Sequence, residues 1–278
     1  MSRFAVPIFF IASGYGLTVS NSYSGDLICF YKKRLKLIPA YLVWTMIYFI
    51  QTKAKLSVPT VLSGVFLGSS RYHMYFITVL IFFCLIYPFV YMWFSQTLGF
   101  VIAAVISVIG QVVFLAGSTF EVHYFLNFLV YFALGIYLAK RDRMKKLVRH
   151  ANVSVAIGIL VVLSTSIYFK YFTDRSQSLV TTSMRPAVFL LSIGMVAFAM
   201  KHLSKPTKFL SLVDRQSLNI YYVHPIMLMV IQKLLQESPL PSLLLFIIIT
   251  SFVICASIIF AIPYSCTIKK IPILRNVF

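Results

Sequence analysis

The chain has 278 residues, 60% of them hydrophobic and only 11% charged, with 25 basic residues against 6 acidic ones. That composition lies far from a soluble domain. In a soluble protein so basic a balance would suggest nucleic acid, but here the cations fall in alternate loops between apolar runs. That is the pattern of the positive-inside rule, and no nucleic-acid partner is expected.

Nine apolar stretches follow one another at roughly 4–20, 37–51, 73–94, 98–118, 122–139, 153–172, 186–202, 217–235 and 240–264. Most reach the ~20 residues needed to cross ~30 Å of hydrocarbon. The first two are short, with Pro7 and Pro39 near their ends. The expected fold is all-α: a polytopic membrane helix bundle of about nine transmembrane helices, forming a single domain over 1–278.

An outside N-terminus places the loops 21–36, 95–97, 140–152 and 203–216 and the tail 265–278 in the cytoplasm, and these carry most of the 25 basic residues. The opposite threading puts them outside, so N-out, C-in is favoured. The start is unusual. Phe4 opens a span with no positively charged region ahead of it long enough for a signal peptide. One further helix would restore an even count of ten spans, with both termini inside.

The four cysteines (Cys29, Cys84, Cys255, Cys266) show no CxxC spacing and are expected as packed thiols rather than metal ligands or disulfides. No zinc signature, P-loop or GxGxxG occurs, no internal repeat is visible, and no loop is long enough for a separate soluble domain.

Candidate chemistry appears in chain order. Ser13-Gly14-Tyr15-Gly16 interrupts the first apolar run. Small residues there suit close helix packing, and it is not a G-x-S-x-G nucleophile elbow. Residues 26–37 mix Leu27, Ile28, Phe30, Tyr31 and Leu35 with Lys32, Lys33, Arg34 and Lys36. This predicts a short amphipathic helix at the cytoplasmic face. Its cations either anchor anionic lipid and set topology or bind phosphates of a cytoplasmic donor, for which Arg offers a bidentate fork.

Ionisable groups in hydrocarbon are expensive and therefore functional candidates. His73 opens the third span within Arg71-Tyr72-His73-Met74-Tyr75, either as an interfacial anchor or as a reacting group. His123, near Glu121, reads as interfacial, and His150 and His202 accompany basic loops. Arg185 heads the seventh span. His224 is the most deeply placed, and Pro225 beside it frees backbone carbonyls to line a cavity or merely makes a kink.

At these residues a family comes into view. Phe4–Leu17 with Phe30–Tyr41, then Tyr72–Pro88, then Ile220–Pro225 resemble, in order, segments of acyltransferase family 3, whose members include bacterial O-acetyltransferases of surface polysaccharides. The resemblance implies a ten-helix membrane enzyme. It would pass an acyl group, usually acetyl, from cytoplasmic acyl-CoA to a hydroxyl of a surface glycan or lipid-linked sugar, with no permanently bound cofactor and no metal. Its partners would be the bilayer of the bacterial plasma membrane and other polysaccharide-synthesis proteins.

The first apolar run here matches the family's second span. The family's first, with an Arg and a His ten residues on, has no counterpart, so an N-terminally incomplete chain is expected. That leaves His73 and His224 as candidate catalytic bases. Arg71, Tyr72, Tyr75, Ser13 and Tyr15 would contact substrate, and Arg34, Lys36 and Lys33 the coenzyme A phosphates. A polysaccharide exporter or flippase component without chemistry, or an inactive remnant, are the competing readings.

Overall fold

The computed structural model describes residues 4–53, 55–115, 123–172, 185–203, 207–236 and 240–268. Glu121 and the basic tail residues Lys269, Lys270 and Arg275 lie outside them, as does most of the polar stretch 173–185. All regular structure among the described residues is helical: α1 (Ala5–Val19), α2 (Leu27–Arg34), α3 (Leu37–Thr52), α4 (Val58–Phe66), α5 (Tyr75–Phe94), α6 (Thr97–Leu115), α7 (His123–Leu138), α8 (Arg141–Arg149), α9 (Ala151–Phe172), α10 (Pro186–His202), α11 (Lys208–Leu234) and α12 (Ser242–Ile268). Each of the nine apolar runs contains a helix among its described residues. Among the described residues four stretches are long and apolar enough to cross a membrane: Leu27–Thr52, Tyr75–Phe94, Ala151–Phe169 and Leu244–Pro263. The apolar parts of α1, α6, α7 and α10 are shorter.

Helices are what such a sequence must form in lipid, because every backbone N–H and C=O then bonds within its own segment. Hydroxyls along them are disposed of in the same way. Thr18 donates to Gly14 O at 2.8 Å, Thr52 to Tyr48 O at 2.8 Å, Ser192 to Val188 O at 2.7 Å and Thr250 to Phe246 O at 2.8 Å. Among the described residues, side-chain caps start three elements. Asp26 accepts from Cys29 N ahead of α2, Ser57 from Thr60 N ahead of α4, and Thr207 from Leu210 N ahead of α11. The Thr207 cap explains why α11 begins at Lys208, well before the apolar run that the sequence marks at 217.

The chain divides into two compact units. The first comprises Met1–Ile38 and Thr45–Ser204, and the second Pro39–Trp44 with Lys205–Phe278. In the first, α7 is central, packing on α1, α5, α6 and α8. Phe10 of α1 is fully buried, its ring 5.0 Å from Phe76, 5.2 Å from Phe83 and 5.1 Å from Phe128. Phe83 stacks in turn on Phe132 at 4.8 Å.

At Gly14 and Gly135 the backbones of α1 and α7 touch. A Cβ on Gly14 would collide with the carbonyl of Phe132, and one on Gly135 with that of Ile11. Phe10 meets Phe128 while Gly14 meets Phe132, so α1 and α7 run parallel. By the same register α5 runs with them, Phe76 beside Phe10 and Tyr87 beside Thr18. The close-packing reading of Ser13–Gly16 is what the structure shows for Gly14.

The shared direction sorts the ends of this unit. At one lie α2, the Ser95 turn and α8; at the other lies the start of α5. Arg143 of α8 ties the first end together. It donates to Ser95 O at 2.7 Å and Tyr137 O at 3.1 Å, and its guanidinium carbon lies 3.7 Å from the Tyr137 ring centre. Arg143→Met is expected to lower stability by about 1–3 kcal/mol, since two carbonyls lose a charged donor and a ring loses its cation. Thermal unfolding in detergent would measure it, and Arg143→Lys should recover little of the loss because ammonium cannot reproduce the planar fork.

Arg185, buried ahead of α10, is another internal tie. It donates to Ser166 Oγ at 3.1 Å and to Thr165 of α9, with Phe169 beneath at 5.4 Å. The described cysteines Cys29, Cys84 and Cys255 are free thiols; Cys84 is buried while Cys29 and Cys255 are exposed.

In the second unit α11 packs on α12. Trp44 stacks on Tyr222 at 5.6 Å with an interplanar angle of 7°, and both rings are buried.

Candidate functional site

The chain enters α5 through a turn that only glycine fits. Gly68 has φ +70, and a Cβ there would lie 2.5 Å from the Cα and N of Tyr75. Three tight backbone bonds follow, Met74 N to Arg71 O, Phe76 N to His73 O and Ile77 N to Met74 O. They carry His73 inward, leaving it 7% exposed.

Its imidazole meets Tyr48 of α3 edge-on at 5.1 Å and Tyr72 at 5.4 Å. Tyr48 is fully buried, whereas Tyr72 is 63% exposed with the Arg71 guanidinium 5.8 Å from its ring centre. An interfacial anchor would keep its polar tip wet; His73 does not. Tyr75 turns elsewhere, stacking on Phe128 of α7 at 6.0 Å. Two further hydroxyls are buried nearby in sequence, Thr45 one turn before Tyr48 and Ser70 in the turn ahead of His73. Neither has a hydrogen-bond partner among the described residues.

Sequence reading had no signal for Tyr48, which lies 25 residues before His73 in the chain and reads as one more aromatic in an apolar run. Thr45 and Ser70 carry no sequence signal for a different reason, since many hydroxyls here bond their own backbone and only the structure shows that these do not.

Ser13 and Tyr15 sit on α1, and the Ser13 hydroxyl bonds Phe9 O at 2.7 Å. Arg34 closes α2, which is held to α5 by Tyr31, donating to Leu85 O at 2.8 Å, and by Phe30 stacked on Tyr87 at 5.6 Å. Arg34 is half-buried, donates to Ser22, and lies within electrostatic range of Cys84 and Tyr87. Lys33 and Lys36 point outward, exposed. The three proposed phosphate contacts thus divide into one inward cation and two outer ones. Tyr75, at the start of α5, and Cys84 are separated by about 14 Å of helix rise.

His224 belongs to the second unit. Its Nδ1 lies 2.7 Å from Tyr221 O. A carbonyl only accepts, so in this contact Nδ1 donates. Earlier on the same helix Asn219 donates to Gln216 at 2.8 Å, both amides buried. His123 begins α7. His202 pairs with Asn152 at 3.1 Å, tying α9 to α10.

Described residues whose regular structure is all helical, with apolar helices of spanning length and a buried imidazole, define an integral membrane protein. The profile of the Acyltransferase domain family, acyltransferase family 3, matches residues 1–262, and the chain belongs to that family. No curated protein and no solved structure matches it.

Proposed function

We propose that the protein is a polytopic membrane O-acyltransferase with its C-terminus in the cytoplasm. It moves an acyl group, most simply acetyl, from cytoplasmic acyl-CoA to a hydroxyl of a surface or exported polysaccharide. The observation that carries the reading is the imidazole of His73, enclosed by Tyr48 and Tyr72 at the end of its unit opposite Arg34 and α8.

Acyl transfer from a thioester needs a base for the acceptor hydroxyl, donors for the oxyanion, and a cationic dock for the nucleotide. His73 takes the proton, and His224 is the second candidate. Tyr72 and Arg71 hold the sugar, with Tyr75, Ser13 and Tyr15 as further contacts. Arg34, with Lys33 and Lys36 outside it, holds the coenzyme A phosphates. The separation along α5 is on the order of an extended pantetheine arm, so a donor anchored at Arg34 presents its thioester toward His73. The basic residues gathered at the α2 and α8 end support the orientation.

The test is acetyl content of surface polysaccharide, by NMR, in a deletion strain complemented with this chain. Restored acetylation supports the proposal; changed polymer export without acetylation replaces it with the exporter reading. Arg34→Ala should raise the apparent KM for acetyl-CoA roughly tenfold or more with little change in kcat, because a charged phosphate contact is lost from ground and transition states alike. An unchanged KM would confine Arg34 to packing and topology.

A further inference from the structure

The sequence marks 140–152 only as a basic loop, yet the structure folds Arg141–Arg149 into a helix with two unlike faces. One face is fixed to the protein. Met144 is buried, and Arg143 is bonded to the carbonyls of Ser95 and Tyr137. The other carries Arg141, Lys145 and Arg149 at intervals of four, with Lys146 alongside, all exposed. Asp142 is the single acid of the helix and sits in its first turn, where it complements the dipole.

Like charges four apart repel and weaken an isolated helix. The pattern therefore calls for anions from outside the helix, and the anchored face prevents the stripe from turning away. The surroundings say which anions. α8 runs directly into α9, whose spanning window is only 6% buried and exposes Val153, Ile157, Leu160 and Leu163. A helix that apolar on its outside faces lipid chains, so the segment immediately before it lies at headgroup level.

We propose that α8 is a binding surface for the phosphate groups of anionic phospholipids, contacted by Arg141, Lys145, Lys146 and Arg149. The cations are strung over about 12 Å of helix. That line suits several headgroups side by side rather than one compact nucleotide. The proposal rests on the protein's residence in a bilayer and is independent of its chemistry.

The full chain would be reconstituted in phosphatidylcholine vesicles, and its boundary lipid measured with spin-labelled phosphatidylglycerol and, separately, spin-labelled phosphatidylcholine. The wild type should prefer phosphatidylglycerol roughly fivefold or more at low salt, falling toward parity in about 0.5 M salt as screening predicts. The variant R141Q/K145Q/K146Q/R149Q should lose most of the preference, and R141K/R149K should keep it. If the fourfold variant does not insert, K145Q/R149Q and the salt dependence of the wild type carry the test. A wild type without preference, or a preference undiminished in the neutralised variants, overturns the proposal. So does retained lipid preference with lost acetyl-CoA binding, which would reassign the stripe to the nucleotide.

Discussion

His73→Ala is expected to abolish acyl transfer, lowering kcat by roughly 10²–10⁴-fold, the range typical of a lost general base. The geometry motivates so large an effect. The ring is 7% exposed, lies against the edges of Tyr48 and Tyr72, and is delivered inward by a glycine turn rather than left at the surface. Truncating a buried ring also removes packing, so the assay needs a partner that keeps the volume. His73→Gln retains most of the bulk and loses the base; it should elute as a monodisperse species and remain inactive. Full activity in His73→Gln would remove His73 from the chemistry and leave His224 as the base. Tyr48→Phe should be milder, since it preserves the edge-on ring contact.

The second large effect is structural. Gly135→Val is expected to destabilise the protein by roughly 3 kcal/mol or more and to reduce folded yield sharply, because its side chain must occupy the space of the Ile11 carbonyl. Neither backbone can yield without separating α1 from α7 and opening the aromatic cluster around Phe10. Gly14→Ala meets the Phe132 carbonyl and should be nearly as harmful. A Cβ on Gly16, two residues on, would meet nothing within 4 Å. Gly16→Ala should therefore be neutral or stabilise by up to about 1 kcal/mol, as a helical alanine does. Thermal unfolding in detergent separates the three. Equal effects at Gly14 and Gly16 would mean the crossing is not as close as described.

The helical architecture was legible because lipid leaves the backbone one economical solution, and runs of apolar residues announce it directly. Legibility failed where polar residues join or begin helices. α4 hides in a stretch that reads as a polar loop, although Ser57 and Pro59 are a cap and a first-turn proline. α8 hides in a run of cations because its apolar face is only three residues, Met144, Leu147 and Val148, among six charged ones. At the site, His73 stands out as a candidate because a histidine is unusual at the start of an apolar run. Its enclosure could not be read there, because Tyr48 meets it through a tertiary contact that no local pattern encodes. The Ser13–Gly16 motif shows the converse. Its small residues suit close packing, which the structure shows at Gly14, while the Ser13 hydroxyl, a candidate substrate contact, bonds its own helix.

The parallel crossing of α1 and α7 also has a consequence for biogenesis. Its two glycines are separated by about 120 residues, which a ribosome adding roughly 5–20 residues per second takes some 6–25 s to make. Throughout that interval α1 is in the bilayer without the surface it is shaped to meet, and its flat glycine face is open to any neighbouring small-residue helix. Assembly of this unit is therefore paced by synthesis of α7, and crowding by other nascent spans competes with it directly.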